Sequence, residues 1–162
     1  MRAVVVSDSH GDVNSLIGAV RRHSNADMVI FLGDGERDIY DSEFSALLKN
    51  KMLVAVRGNC DLYSQLPDEE TISLGGKKIY CLHGHTKGVK HGFENLESAA
   101  VKKGADVAVH GHTHEPRVSY SDGIWYMCPG SVKTGWYGII DVDEKTDGIF
   151  CYLQNLYYEV KK

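Results

Sequence analysis

The sequence predicts one α/β domain, two β-sheets with helices outside them, and three observations carry that reading. The first half alternates short apolar runs at residues 3–6, 28–32 and 52–56 with helical segments, the pattern of a parallel sheet covered by helices. The second half changes to paired runs around Gly75-Gly76, Asp122-Gly123 and Asp147-Gly148, which are hairpin signals. At 162 residues, 43% hydrophobic and 25% charged, the chain suits a single core and excludes disorder.

Each element has its own justification. Residues 3–6 are uninterrupted apolar chain, a strand buried on both faces. Asp12 is placed to cap a helix in which Val13, Leu16, Ile17 and Val20 share a face, with Arg21, Arg22 and His23 at its end. A second strand runs into Gly33-Asp34. A short helix around Phe44, Leu47 and Leu48 then leads to the third strand, which ends at Gly58-Asn59. Residues 71–74 and 78–82 flank the first hairpin turn, and the second of them delivers His83-Gly84-His85.

The next helix, 92–103, has Glu94 and Glu97 early, Lys102 and Lys103 late, and Gly104 as its stop. A buried strand at 106–109 delivers His110-Gly111-His112-Thr113-His114. Runs at 117–120, 124–128, 137–142 and 149–156 read as antiparallel strands. No repeat, low-complexity tract or linker divides the chain, so the domain is expected to span 1–162.

Composition narrows the function classes. A net charge of −4 leaves no basic footprint for long nucleic acid or an anionic membrane. Apolar runs fall far short of the ~20 residues that span a bilayer. The N-terminus lacks the pattern of a signal peptide, so a cytoplasmic location is expected. Cys60, Cys81, Cys128 and Cys151 form no C-x-x-C pair; they read as reduced thiols and not as a zinc ribbon.

The chemistry gathers where apolar strands end. The five ends carry Asp8 and His10, then Asp34, then Asn59, Cys60 and Asp61, then His83, and last His112 and His114. In open α/β sheets, ligands bind beyond the carboxyl ends of parallel strands. Asp, His and Asn are donors for a divalent metal. Seven candidate ligands (Asp8, His10, Asp34, Asn59, His83, His112 and His114) are too many for one ion but suit two if a carboxylate bridges them. Six of the eight histidines lie in these loops. His23 and His91 read as surface residues, and His110 as core or a support behind the ligands.

This ordered set, Asp8-x-His10, Gly33-Asp34, Gly58-Asn59-x-Asp61, His83 and Gly111-His112-x-His114, resembles the motifs of calcineurin-like metallophosphoesterases. The short length and the Cys60 of Gly-Asn-Cys-Asp resemble the small phosphodiesterase branch, which includes the retromer scaffold subunit. Pro129-Gly130-Ser131 looks like a later loop of the family.

The resemblance implies a two-sheet sandwich of mixed strands flanked by helices on both outer faces. It implies one metal on Asp8, His10, Asp34 and His114, and a second sharing Asp34 and adding Asn59, His83 and His112. Such a pair would generate a hydroxide for in-line attack on phosphorus. Mn, Fe, Ni, Co and Zn all match these donor types.

One position departs from the pattern. Many relatives carry His directly after the metal-binding Asn, and here Cys60 stands there. A thiol with a reference pKa of about 8.5 is a weak proton donor, which leaves Cys60 either a donor or filler. Asn59, Cys60, Asp61 and His85 are the catalytic candidates, with Asp61 placed to orient a water or His85. The expected activity is a slow dinuclear phosphodiesterase acting on a small phosphoester, a nucleotide or cyclic diester among the options. The alternatives are a non-catalytic protein-binding scaffold and a purely structural metal site. Edge strands of the antiparallel part offer a route to a homo-oligomer.

Overall fold

The structure, a computed structural model, describes residues 1–160; the last two residues of the expected 1–162 domain lie outside the described residues. The first sheet contains β1 (Arg2–Val6), β2 (Met28–Phe31), β3 (Met52–Ala55), β9 (Trp136–Asp143) and β10 (Gly148–Asn155), in the order β10-β9-β1-β2-β3. The second contains β4 (Glu69–Leu74), β5 (Lys77–Leu82), β6 (Val107–His110), β7 (Arg117–Ser121) and β8 (Ile124–Cys128), in the order β4-β5-β6-β8-β7. Each sheet has three parallel strands, β1-β2-β3 in one and β5-β6-β8 in the other, with antiparallel strands beside them.

Alternation along β1 shows how the layers form. Ala3 and Val5 pack between the sheets with Ile30, Ile79, Val109 and Met127. Val4 and Val6 face outward against Leu16 and Val20 of α1 (Val13–Arg21) and Phe44 of α2 (Ser42–Leu47). Asp12 caps α1, its carboxylate accepting the Ser15 amide at 3.1 Å. On the other outer face, Leu96 and Ala100 of α3 (Glu94–Lys103) cover Tyr80, Leu82 and Ala108. Helices therefore flank both faces of a mixed two-sheet sandwich.

The differences from the sequence reading are local. Helix α3 begins at Glu94, two residues later than expected, and residues 36–40 form an unexpected 3-10 turn. Strand β8 is not purely antiparallel: it returns from the β7 hairpin to lie between β7 and β6, and so runs parallel to β6. His23 is not a surface residue. The end of α1 lies over the first sheet, where His23 Nε2 sits 3.0 Å from Gln154 Oε1 and 3.3 Å from the Tyr137 hydroxyl.

His91 is exposed and His110 buried, as expected. All four cysteines are free, with Cys81, Cys128 and Cys151 buried. Among the described residues, no helix is long and apolar enough to cross a membrane.

Candidate metal centre

The two sheets present the C-terminal ends of β1, β2, β3, β5 and β6 to one place, and all seven candidate ligands meet there. The meeting demands close backbone approach. A Cβ on Gly33, whose φ is +97°, would run into the backbone of Gly58, so only glycine lets the β2 and β3 loops touch. Asp8, His10, Asp34, His112 and His114 all hold φ between +45° and +69°. These are five of the eight non-glycine residues of positive φ among the described residues. Left-handed backbone at such residues costs of order 1–3 kcal/mol each and collects at functional sites.

The donors fall into two groups. In the first, His114 Nε2 lies 3.0 Å and His10 Nε2 3.7 Å from Asp8 Oδ1, and the two imidazole nitrogens are 3.4 Å apart. In the second, His83 Nε2 lies 3.1 Å from Asn59 Oδ1, 3.2 Å from His112 Nδ1 and 3.4 Å from Asp34 Oδ2. Within each trio, Asp8-His10-His114 and Asp34-His83-His112, one donor atom per residue lies within 4.8 Å of the others. Asp34 reaches both groups, since its Oδ2 is also 4.0 Å from His10 Nε2.

The surroundings aim these atoms. His83 Nδ1 is 2.7 Å from the carbonyl of Leu32, and donating there leaves Nε2 as a bare acceptor. In that neutral form Nε2 faces the oxygens of Asn59 and Asp34 with no proton to offer them, so a cation, or a second proton on the ring in its absence, has to fill the gap. A cation satisfies that convergence, and the residues fit a divalent metal on this ground. Asp8 Oδ2 accepts the Ser7 hydroxyl and the His112 amide, which leaves Oδ1 for the centre. Asp34 Oδ1 accepts the Cys60 amide at 2.7 Å.

The electrostatics agree. Burial would raise the Asp34 carboxyl, but hydrogen bonds from His83 and the Cys60 amide outweigh it and hold the group well below its usual range. Burial would lower the His83 imidazole, but Asp34 and Asp8 outweigh that and raise it. Burial and the charge of His83 push His112 down to about 4.

The remaining candidates take different roles. Cys60 is exposed, its sulfur 3.3 Å from Asn59 Nδ2, and burial with Asp34 beside it pushes the thiol up. Asp61 is not aimed at His85. Its oxygens accept four backbone amides, those of Asp34, Gly35, Glu36 and Gly58, at 2.8–2.9 Å, so the carboxylate ties the β2 loop to the β3 loop. His85 sits behind the second trio, its ring centroid 5.4 Å from that of His83, with a buried Nδ1 that has no partner.

Sequence reasoning missed three supports. The Leu32 carbonyl holds His83, the Ser131 hydroxyl donates to the Asp8 carbonyl, and Asp38 accepts the Ser9 hydroxyl and the Gly11 amide. Pro129-Gly130-Ser131 was the one signal for any of them.

Residues 1–145 match the family model of the calcineurin-like phosphoesterase superfamily domain. The chain belongs to that superfamily. It is 33% identical over 134 residues to the probable metallophosphoesterase YsnB of Bacillus subtilis, covering 82% of this chain and 76% of that protein. It is 27% identical over 170 residues to the phosphodiesterase YfcE of Escherichia coli K12, covering 88% and 89%. The crystal structure of Vps29 from Entamoeba histolytica complexed with Zn²⁺ shares the fold, with a TM-score of 0.70, 19% identity, and 96% and 99% coverage.

Proposed function

We propose that this member of the superfamily is a dinuclear, metal-dependent phosphodiesterase for small phosphoesters. The observation that carries the proposal is the pair of adjoining donor trios joined through Asp34. Asp8, His10, Asp34 and His114 would hold one ion; Asp34, Asn59, His83 and His112 would hold the other. Such a pair supplies a water activated near neutral pH for in-line attack and positive charge for the phosphoryl oxygens.

The chain's own groups do the positioning. Asp34 stays ionised across the working pH range, and the Cys60 amide fixes its orientation. Leu32 fixes the His83 ring, and Ser7 fixes Asp8. Nothing at Cys60 protonates a leaving group well, because its thiol is held in the neutral, weakly donating form. Slow turnover and a preference for low-pKa leaving groups follow. Preference for diesters over monoesters draws on the similarity to the E. coli protein named a phosphodiesterase. The complete donor set opposes the scaffold reading, and seven donors including Asn59 oppose a closed structural site.

The test is hydrolysis of an activated aryl phosphodiester and the matching monoester by metal-stripped protein, with Mn²⁺ or Ni²⁺ restored, beside Asp34→Asn. Metal-dependent diester cleavage that disappears in the variant is expected. No turnover with any metal, despite bound ions, would return the assignment to a scaffold.

A further inference from the structure

Next to the trio of Asp8, His10 and His114 lies an open cleft of about 680 Å³, lined by His10, Asp34 and Cys60 at one end and by Tyr40, Leu62 and Tyr63 along its walls. Its apolar side chains are costly to expose. Tyr63 is 97% exposed, Leu62 78% and Tyr40 66%, three of the ten exposed large apolar side chains among the described residues. Exposed apolar surface gathered in one concavity marks a binding site.

The backbone presents these rings deliberately. Tyr63 holds a φ of +64°, a left-handed conformation unfavourable for an aromatic residue. The turn around it is fixed by Leu62 N donating to Cys60 O at 3.0 Å and by Gln65 Nε2 donating to Tyr63 O at 3.4 Å. Tyr40 stands at the end of the 36–40 turn, its hydroxyl bonded to Glu36 at 3.0 Å. Asp61 ties the β2 loop to the β3 loop through its four amide bonds, so the two loops that carry these rings are joined at their base.

Asp34, Glu36, Asp38 and Asp61 keep their negative charge along this lining, so a ligand's phosphate belongs at the metal centre and the cleft is left for its uncharged part. Glu36 is engaged by Tyr40, Asp38 by Ser9 and Gly11, and Asp61 by amides. Arg37, exposed on the same cleft, forms no ion pair among the described residues.

We infer that this cleft is the base-binding subsite of the centre, and that the substrates are phosphodiesters of nucleosides, with the planar base laid against Tyr63 and Tyr40. The inference rests on the phosphodiesterase reading and adds the substrate class. A base stacked on aromatic side chains gains roughly tenfold or more in affinity, whereas a sugar phosphate alone gains nothing from the rings.

The experiment is calorimetric titration of the Mn²⁺-loaded protein with AMP and with ribose 5-phosphate, for wild type, Tyr63→Ala, Tyr40→Ala and the double variant. Turnover of the aryl phosphodiester is assayed separately. AMP is expected to bind roughly tenfold tighter than ribose 5-phosphate. Each single substitution should narrow that ratio and the double one erase it, with ribose 5-phosphate unchanged. Equal affinities in wild type, no binding of AMP, or a preference that survives the double substitution would overturn the inference. Aryl diester turnover without base preference sinks the subsite alone; base preference without turnover sinks the phosphodiesterase reading alone.

Discussion

His83 Nδ1 meets the backbone carbonyl of Leu32 at 2.7 Å, a bond from the second sheet to the end of a strand in the first. It orients the ring at the centre and ties together the two layers whose strand ends build the site. His83→Ala removes a donor and this tie at once. Affinity for divalent metal should fall by at least about 100-fold, the upper end of what loss of a mere supporting group costs. Equilibrium dialysis against Mn²⁺ checks it.

Asp61 is predicted to act on stability. Asp61→Ala strands four amide donors at the junction of two loops. Charge-assisted bonds of this kind make the loss about 3 kcal/mol or more, read by urea unfolding of the metal-free protein. An unchanged unfolding midpoint with a large fall in rate would instead assign it a direct part in the chemistry.

Cys60 should matter through its amide and not its thiol. The side chain is exposed, pushed up in pKa by burial and by its hydrogen bond to Asp34, and close to Asn59, while its backbone N–H also holds Asp34. Cys60→Ala should therefore leave kcat/KM for an activated aryl diester within about threefold, or less than ~0.7 kcal/mol of barrier. Iodoacetamide should alkylate Cys60 at pH 7 more slowly than free cysteine, since the thiolate is the reactive form.

Acid should weaken the metal-free fold through His110. Its ring is buried against the second sheet, and burial pushes it down to about 4. Between pH 6.5 and 4 the unfolded chain binds a proton that the folded one does not. Stability is therefore full above pH 6.5 and lost as pH falls towards 4, by about 2–3 kcal/mol from this group. His110→Gln should flatten that part of the profile in urea titrations at pH 7 and pH 4.5.

Much of this was legible because each ligand lies within four residues of the end of an apolar strand, and apolar runs are the plainest signal a sequence carries. Val4 and Val6 alternating with Ala3 and Val5 imply two covered faces, and the strand ends at Asp8, Asp34 and Asn59 locate one rim. What stayed hidden depends on long-range contact. Ser131 reaches Asp8 across 123 positions, and His23 finds Gln154 across 131. The left-handed backbone of Asp8, His10, Asp34, His112 and His114 was equally silent, because none is a glycine. Asp61 misled because a carboxylate beside candidate ligands looks chemical until its four amide partners are seen.

The most direct test of the central claim is the number and position of the ions. Crystals grown with Mn²⁺ and measured for anomalous scattering should show two peaks per chain, ~3.5–4 Å apart. One should lie among Asp8, His10, Asp34 and His114, the other among Asp34, Asn59, His83 and His112. A single peak, or peaks away from the five strand ends, would contradict the dinuclear account.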